Sequence, residues 1–127
     1  MRRPPGNYWI RKFGHAFRGT WQEVREDRSF QVHFSAAAAV IVSAVAFRVS
    51  LIEWCILLFA IALVLVAELF NSALESMAKA ITDEHDPRVG AALDIGSAAV
   101  LLAAVAASII GGAIFLPHLL DFVSRWG

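Results

Sequence analysis

Ile56-Leu57-Leu58-Phe59-Ala60-Ile61-Ala62-Leu63-Val64-Leu65-Val66-Ala67-Glu68-Leu69-Phe70-Asn71-Ser72-Ala73-Leu74-Glu75 is the stretch that decides how this chain reads. An uninterrupted apolar run closes on two acids with an amide between them. A carboxylate inside a membrane helix costs roughly 3 kcal/mol on insertion scales, so such a group normally has a job or a partner. Spacings of three and seven residues bring Glu68, Asn71 and Glu75 onto one helical face. That stripe suits a metal ion and a substrate hydroxyl held where the helix leaves the hydrocarbon.

The remaining composition agrees with a membrane setting. Of 127 residues, 58% are hydrophobic and only 17% charged, with mean hydropathy +0.62, which excludes an ordinary soluble domain. Formal net charge is zero, yet seven of the eleven basic residues (Arg2, Arg3, Arg11, Lys12, Arg18, Arg25 and Arg28) precede the first apolar run. A basic cluster there predicts a cytoplasmic amino terminus. Interleaved Trp and Phe favour a lipid surface over nucleic acid as its partner. No apolar core appears before about residue 34, so a signal peptide is not expected. Cys55 is alone in an apolar run, which leaves neither a disulfide framework nor a cysteine zinc site.

From Tyr8, the aromatic residues Trp9, Phe13, Phe17 and Trp21 recur every four positions, and Val24 continues the stripe. Basic residues lie largely off that stripe, as in an amphipathic helix lying in the membrane interface. The expected architecture is an all-α membrane protein, with three transmembrane helices preceded by this interfacial helix. Its parts are a mobile tail over 1–7, a surface helix over 8–28, and spans over about 32–49, 52–81 and 91–116. The second span includes a cytoplasmic extension, Pro117 closes the third, and 121–127 is a tail. Ala99, Ala103, Ala107 and Gly111 form a small-residue stripe that permits close helix contact.

Further acids fall on the same predicted side: Glu26 and Asp27 before the first span, Asp83, Glu84, His85 and Asp86 in the polar loop, and Asp94 opening the third span. Carboxylates gathered this way suit magnesium, which takes a few protein oxygens plus substrate phosphates. Phosphoryl transfer then needs a base aligned on the attacking hydroxyl. Glu68, nearest the lipid, is the natural base, and Glu75 the natural metal ligand. Neither a Walker glycine loop nor a kinase glycine loop is present. Each residue also has a structural reading: Glu68 paired with Arg18 or another base, Asn71 as interhelical glue, Asp94 as a helix-start acid, Glu84 and His85 as solvated loop residues, and Asp83, Glu53 and Asp121 as solvated groups. His15 and His33 are isolated in sequence, which favours structural roles for them.

The block Glu68-Leu-Phe-Asn71-Ser72-Ala73-Leu-Glu75, followed by a short acidic loop and Leu93-Asp94-Ile-Gly-Ser-Ala-Ala-Val, resembles the small prokaryotic diacylglycerol kinase family, which includes undecaprenol kinases. Phe17-Arg-Gly19 and Phe30-Gln-Val-His33 extend the resemblance, which covers about Phe13 to Leu119. It implies three spans per chain, a homotrimer with active sites shared between subunits, ATP with Mg²⁺, and a membrane lipid substrate. It also implies a multi-pass protein of the bacterial plasma (inner) membrane with a cytoplasmic active site. By position, Glu68 matches the family's general base, Asn71 a site residue beside it, and Glu75 and Asp27 its metal-binding acids. His15, Glu84, His85, Asp86 and Asp94 fall at nucleotide-side positions, and Arg18, Gly19 and Ser97 at lipid-side ones. Two positions depart from the pattern: Leu93 stands where a Lys is expected, and Asp27 where a Glu is. Phe115-Leu116-Pro117 resembles undecaprenol kinases, whereas Gly96-Ser97-Ala98-Ala99 resembles diacylglycerol kinases, so either lipid alcohol is an expected acceptor. A non-catalytic oligomer using the acids for assembly or ion passage is the alternative. Clustering at one bilayer depth argues against an ion path.

Overall fold

A computed structural model of the protein describes residues 6–127, and the expected tail lies mostly outside them. Four helices follow in order: α1 (Tyr8–Glu26), α2 (Arg28–Ala46), α3 (Leu51–Ile81) and α4 (Pro87–Trp126). The last three are each long and apolar enough to cross a membrane. Among the described residues all regular structure is helical, as backbone groups in hydrocarbon require when no closed barrel is formed.

Each break between helices has a local cause. Asp27 adopts an extended conformation, donates its N–H to the carbonyl of Glu23 and accepts at Oδ1 from the N–H groups of Ser29 and Phe30. It therefore stops α1 and caps α2 at one residue. This places the break slightly before the boundary expected near residue 28. α2 ends in a Schellman turn: Arg48 sits at φ 53°, its N–H bonds the Val45 carbonyl, and Val49 N–H bonds the Ala44 carbonyl. Ser50 then opens α3 with a capping box, its hydroxyl accepting from Glu53 N–H while the Glu53 carboxylate accepts from Ser50 N–H. Asp86 caps α4, with Pro87 in the first turn.

α4 departs from the expected third span. It continues through Pro117 to Trp126 rather than closing at Pro117, so the expected carboxy-terminal tail is its last turns. Proline removes one N–H donor, and a helix among lipids tolerates that loss because leaving the helix exposes more backbone.

α3 is the central element: α4 and α2 pack on it, and α1 packs chiefly on α2. Ala44, Val49 and Leu57 form a buried cluster with Phe47, Trp54 and Phe115 around it. Glu53, expected to be solvated, is instead half-buried beside this cluster, where its Oε2 lies 3.1 Å from His118 Nε2. Most remaining large apolar side chains point outward, including Trp9, Phe13, Phe17 and Trp21 of α1. Exposed aromatic residues on α1 and exposed aliphatic ones on α2–α4 suit contact with lipid.

Candidate functional site

Past the middle of α3 the core turns polar. Glu68, Asn71 and Ser72 are buried, with Glu68 only 2% exposed. Because Glu68 and Asn71 are three residues apart and Glu75 follows four later, α3 presents them in one row. Asn71 Nδ2 donates to Glu75 Oε1 at 3.0 Å. The Asn71 Oδ1 is buried and has no hydrogen-bond partner. Buried acceptors are seldom left that way; this one lies against Gly96 of α4.

α2 contributes from its first turns. The Ser72 hydroxyl donates to Asp27 Oδ2 at 3.1 Å, tying the α1–α2 junction to α3. His33 Nε2 stands 3.6 Å from Glu68 Oε2 and is the charged or chargeable neighbour of that carboxylate within ion-pair range. α4 closes the third side through Gly96 and Ser97. A Cβ on Gly96 would lie 2.6 Å from Asn71 Oδ1 and 3.1 Å from Leu74 Cδ1. Only a glycine lets the two helices meet with Asn71 in this position. The result is a pocket of about 230 Å³ lined by Asp27, Ser29, His33, Glu68, Asn71, Glu75, Ser97 and Val100.

A second cavity, of about 400 Å³, adjoins it through Glu75 and is walled by Lys79, Glu84, His85, Asp86 and Leu93. Chemically, the pair of spaces offers a sequestered carboxylate beside lipid and a more open acidic and cationic vestibule toward the loop.

The residues expected to act together thus divide into groups. Asp27, Glu68, Asn71, Glu75 and Ser97 line the polar pocket. Glu84, His85 and Asp86 line the vestibule, where Asp86 Oδ1 also accepts from Arg88 N–H. His15, Arg18 and Gly19 lie exposed on α1, and Asp94 lies exposed on α4. These four line neither space in this chain. Of the alternative pairing expected for Glu68, with Arg18 or another base, the Arg18 contact does not form among the described residues, and His33 is the base beside it.

His33 was the residue least legible in advance, yet it stands three after the buried Phe30 and four before Ala37, on the inward face of α2. Lys79 was also missed, though its place four residues after Glu75 puts it on the same side of α3.

The family model for prokaryotic diacylglycerol kinase matches residues 14–115. The chain belongs to the prokaryotic diacylglycerol kinase family. An undecaprenol kinase of Bacillus subtilis is 42% identical over 113 residues, covering 89% of this chain and 92% of that protein. A diacylglycerol kinase of a Synechocystis species is 34% identical over 87% of this chain and 64% of its own length. The diacylglycerol kinase of Escherichia coli is 31% identical over 79% of this chain and 82% of its own. By family, then, the protein is a lipid kinase, and its three apolar helices make it an integral membrane protein.

Proposed function

We propose that this family member transfers the γ-phosphoryl group of ATP to the hydroxyl of a membrane lipid alcohol, diacylglycerol or undecaprenol, with Glu68 as general base. The observation that carries the reading is a nearly fully buried carboxylate, Glu68, at the junction of three apolar helices, in one pocket with Asp27, Asn71 and Glu75. Structural economy alone does not account for it, since an incompletely partnered carboxylate in that environment costs several kcal/mol.

In the reaction, Glu68 takes the proton of the lipid hydroxyl as its oxygen attacks the γ-phosphorus. The bond from that phosphorus to the β,γ-bridging oxygen breaks, giving the lipid phosphate and ADP. Burial keeps bulk water from competing as acceptor. Asn71 orients Glu75 through their hydrogen bond. Ser97 contacts the lipid side, and Arg18 and Gly19 of α1 cover it.

The donor set supports Mg²⁺. Of the side chains lining the pocket, Asp27, Ser29, Glu68, Asn71, Glu75 and Ser97 offer oxygen, while His33 offers nitrogen and Val100 no donor atom. No group of three His, Cys, Asp or Glu among the described residues gathers closely enough to hold a metal alone. A cation that keeps substrate phosphates and water as ligands needs only one or two carboxylates. Glu75 and Asp27 would hold it, and it would neutralise charge on the triphosphate. Glu84, His85 and Asp86 face the nucleotide from the vestibule, with His15 and Asp94 completing that side. Lys79 supplies a cation there where Leu93 replaces the family's Lys. We place the amino terminus and the site at the cytoplasmic face of the bacterial inner membrane, from the basic residues before α2. We take the assembly to be a homotrimer whose sites are completed by neighbouring α1 and α4 residues.

The deciding assay gives the purified protein Mg²⁺ and γ-labelled ATP, with diacylglycerol and undecaprenol in parallel bilayers. Label in either lipid supports the reading, and the ratio names the acceptor. Label in neither, from protein that remains folded and assembled, refutes it.

A further inference from the structure

Each turnover of the proposed reaction leaves a proton on Glu68, and that proton must depart before the next one. Glu68 is badly placed to lose it directly, being only 2% exposed. Its polar neighbours on α3 offer no route. Asn71 is an amide whose Nδ2 donates to Glu75, and the Ser72 hydroxyl donates to Asp27 Oδ2. The one basic group within ion-pair range among the described residues is His33, with Nε2 3.6 Å from Glu68 Oε2. Its side chain is 23% exposed, against 3% for that of Glu68. The same polar pocket is lined by Ser29, Glu75 and Ser97, which are exposed. The imidazole thus stands between a sealed carboxylate and the open side of the pocket. A histidine serving only to hold helices together would close on its acid, as His118 does on Glu53 at 3.1 Å. At 3.6 Å the His33 contact is too long for a finished hydrogen bond.

Resting on the lipid-kinase reading, we propose that His33 relays the substrate proton out of the site, acting through Glu68. As the lipid oxygen bonds to the γ-phosphorus, its proton passes to Glu68 Oε2. From there it moves to the lone pair on His33 Nε2, which restores the carboxylate and leaves an imidazolium. The imidazolium gives one proton to water at its exposed edge, and the ring is neutral again. A shift of roughly 0.7 Å closes the gap to hydrogen-bond length, and catalytic contacts commonly tighten once substrate is bound. Histidine suits the step because its ring both takes and gives a proton near neutral pH. The charged groups that share the pocket with it are all acids: Glu68 and Glu75 from α3, and Asp27 at the α1–α2 junction. Glu23 of α1 adds a further negative charge within electrostatic reach of Glu68. α4 presents only Ser97 and Val100. No cation in the pocket lining opposes a transient imidazolium.

The experiment is rapid-quench kinetics of the intact protein in bicelles, with Mg²⁺, γ-labelled ATP and whichever of the two lipid alcohols it phosphorylates. His33→Gln keeps a polar side chain but cannot carry the proton. Its first turnover should give a burst of lipid phosphate stoichiometric with sites, because Glu68 can still accept once. The steady rate should then fall at least about tenfold, as each later turnover waits for a buried acid to lose its proton. Because kcat/KM covers only the steps through transfer, it should stay within about threefold of wild type. In His33→Ala, added imidazole should restore the steady rate severalfold, whereas pyrazole, equal in size but hardly basic, should not. An unchanged steady rate in His33→Gln shows that the proton leaves with the product, and overturns the relay. Equal loss of burst and steady rate makes His33 a partner that merely positions Glu68, and also overturns it, as does equal rescue by imidazole and pyrazole. Absence of lipid phosphate from the wild type removes the kinase reading and this one with it. A wild type that turns over beside an unaffected His33→Gln removes the relay alone.

Discussion

α3 carries two shielded carboxylates, Glu53 in its first turn and Glu68 past its middle, and the two are treated in opposite ways. Glu53 accepts from Ser50 N–H at 3.0 Å and meets His118 Nε2 at 3.1 Å, so its oxygens are occupied by partners that hold helices in place. Glu68 is far more deeply buried, yet its nearest cationic partner stands 3.6 Å away. Beside it an amide oxygen has no partner at all. Buried polar groups are ordinarily satisfied, and the cost of leaving one open grows with burial. The end with complete partners is built for stability. The end with incomplete partners is built to receive something, and that contrast makes separable predictions.

The largest effect is expected at Glu68. Glu68→Gln keeps size and hydrogen-bonding capacity but removes the base, so phosphoryl transfer should fall by at least about a hundredfold. Helix content and assembly should match the wild type, because a neutral amide is easier to bury than a carboxylate. Loss of assembly together with activity would instead make Glu68 a structural group, like Glu53. Next comes Gly96→Ala. The added methyl would sit 2.6 Å from Asn71 Oδ1, so either Asn71 rotates away from Glu75 or α4 shifts from α3. Activity should drop by about tenfold or more, with KM for Mg²⁺-ATP raised, since Glu75 loses its orienting donor. Unchanged kinetics would show that the Asn71–Glu75 bond has no part in positioning.

The row Glu68, Asn71 and Glu75 was legible from sequence because one helix carries it, and helical periodicity needs no tertiary information. The helical class was legible for the same reason: apolar runs of spanning length have few alternatives in hydrocarbon. Contacts between helices were harder. The order of the spans implies that Asp27 shares an end of the bundle with Glu75, but not that its two oxygens are divided between capping α2 and accepting from Ser72. His33 lies far from Glu68 in sequence, and only the packing of α2 on α3 joins them. The end of α4 was misread because Pro117 stops helices in water more reliably than among lipids.

At the stable end, Glu53→Gln and His118→Ala should both lower the thermal unfolding midpoint by a few degrees while leaving turnover near wild type. Glu53→Gln weakens the capping box as well as the contact to α4, so it should be the more damaging of the two. The double variant should lose less than the sum of the singles, because the two side chains share one interaction. Strict additivity would show that the 3.1 Å contact contributes nothing. A loss of transfer activity in either variant would break the division of labour between the two ends.

The smallest expected effect lies at the turn beside Glu53 and has the opposite sign. Arg48 holds φ 53° at the position where a Schellman turn normally has glycine. A non-glycine residue in that region costs about 1–2 kcal/mol, whereas glycine loses roughly 0.5–1 kcal/mol more chain entropy on folding. The difference predicts that Arg48→Gly stabilises the protein by about 0.5 kcal/mol, read as a slight rise in unfolding midpoint with activity unchanged. The side chain is exposed, so little packing is lost with it. A destabilised Arg48→Gly would mean that the Arg48 side chain, reaching for the headgroup region, anchors this end of the bundle more strongly than the backbone strains it.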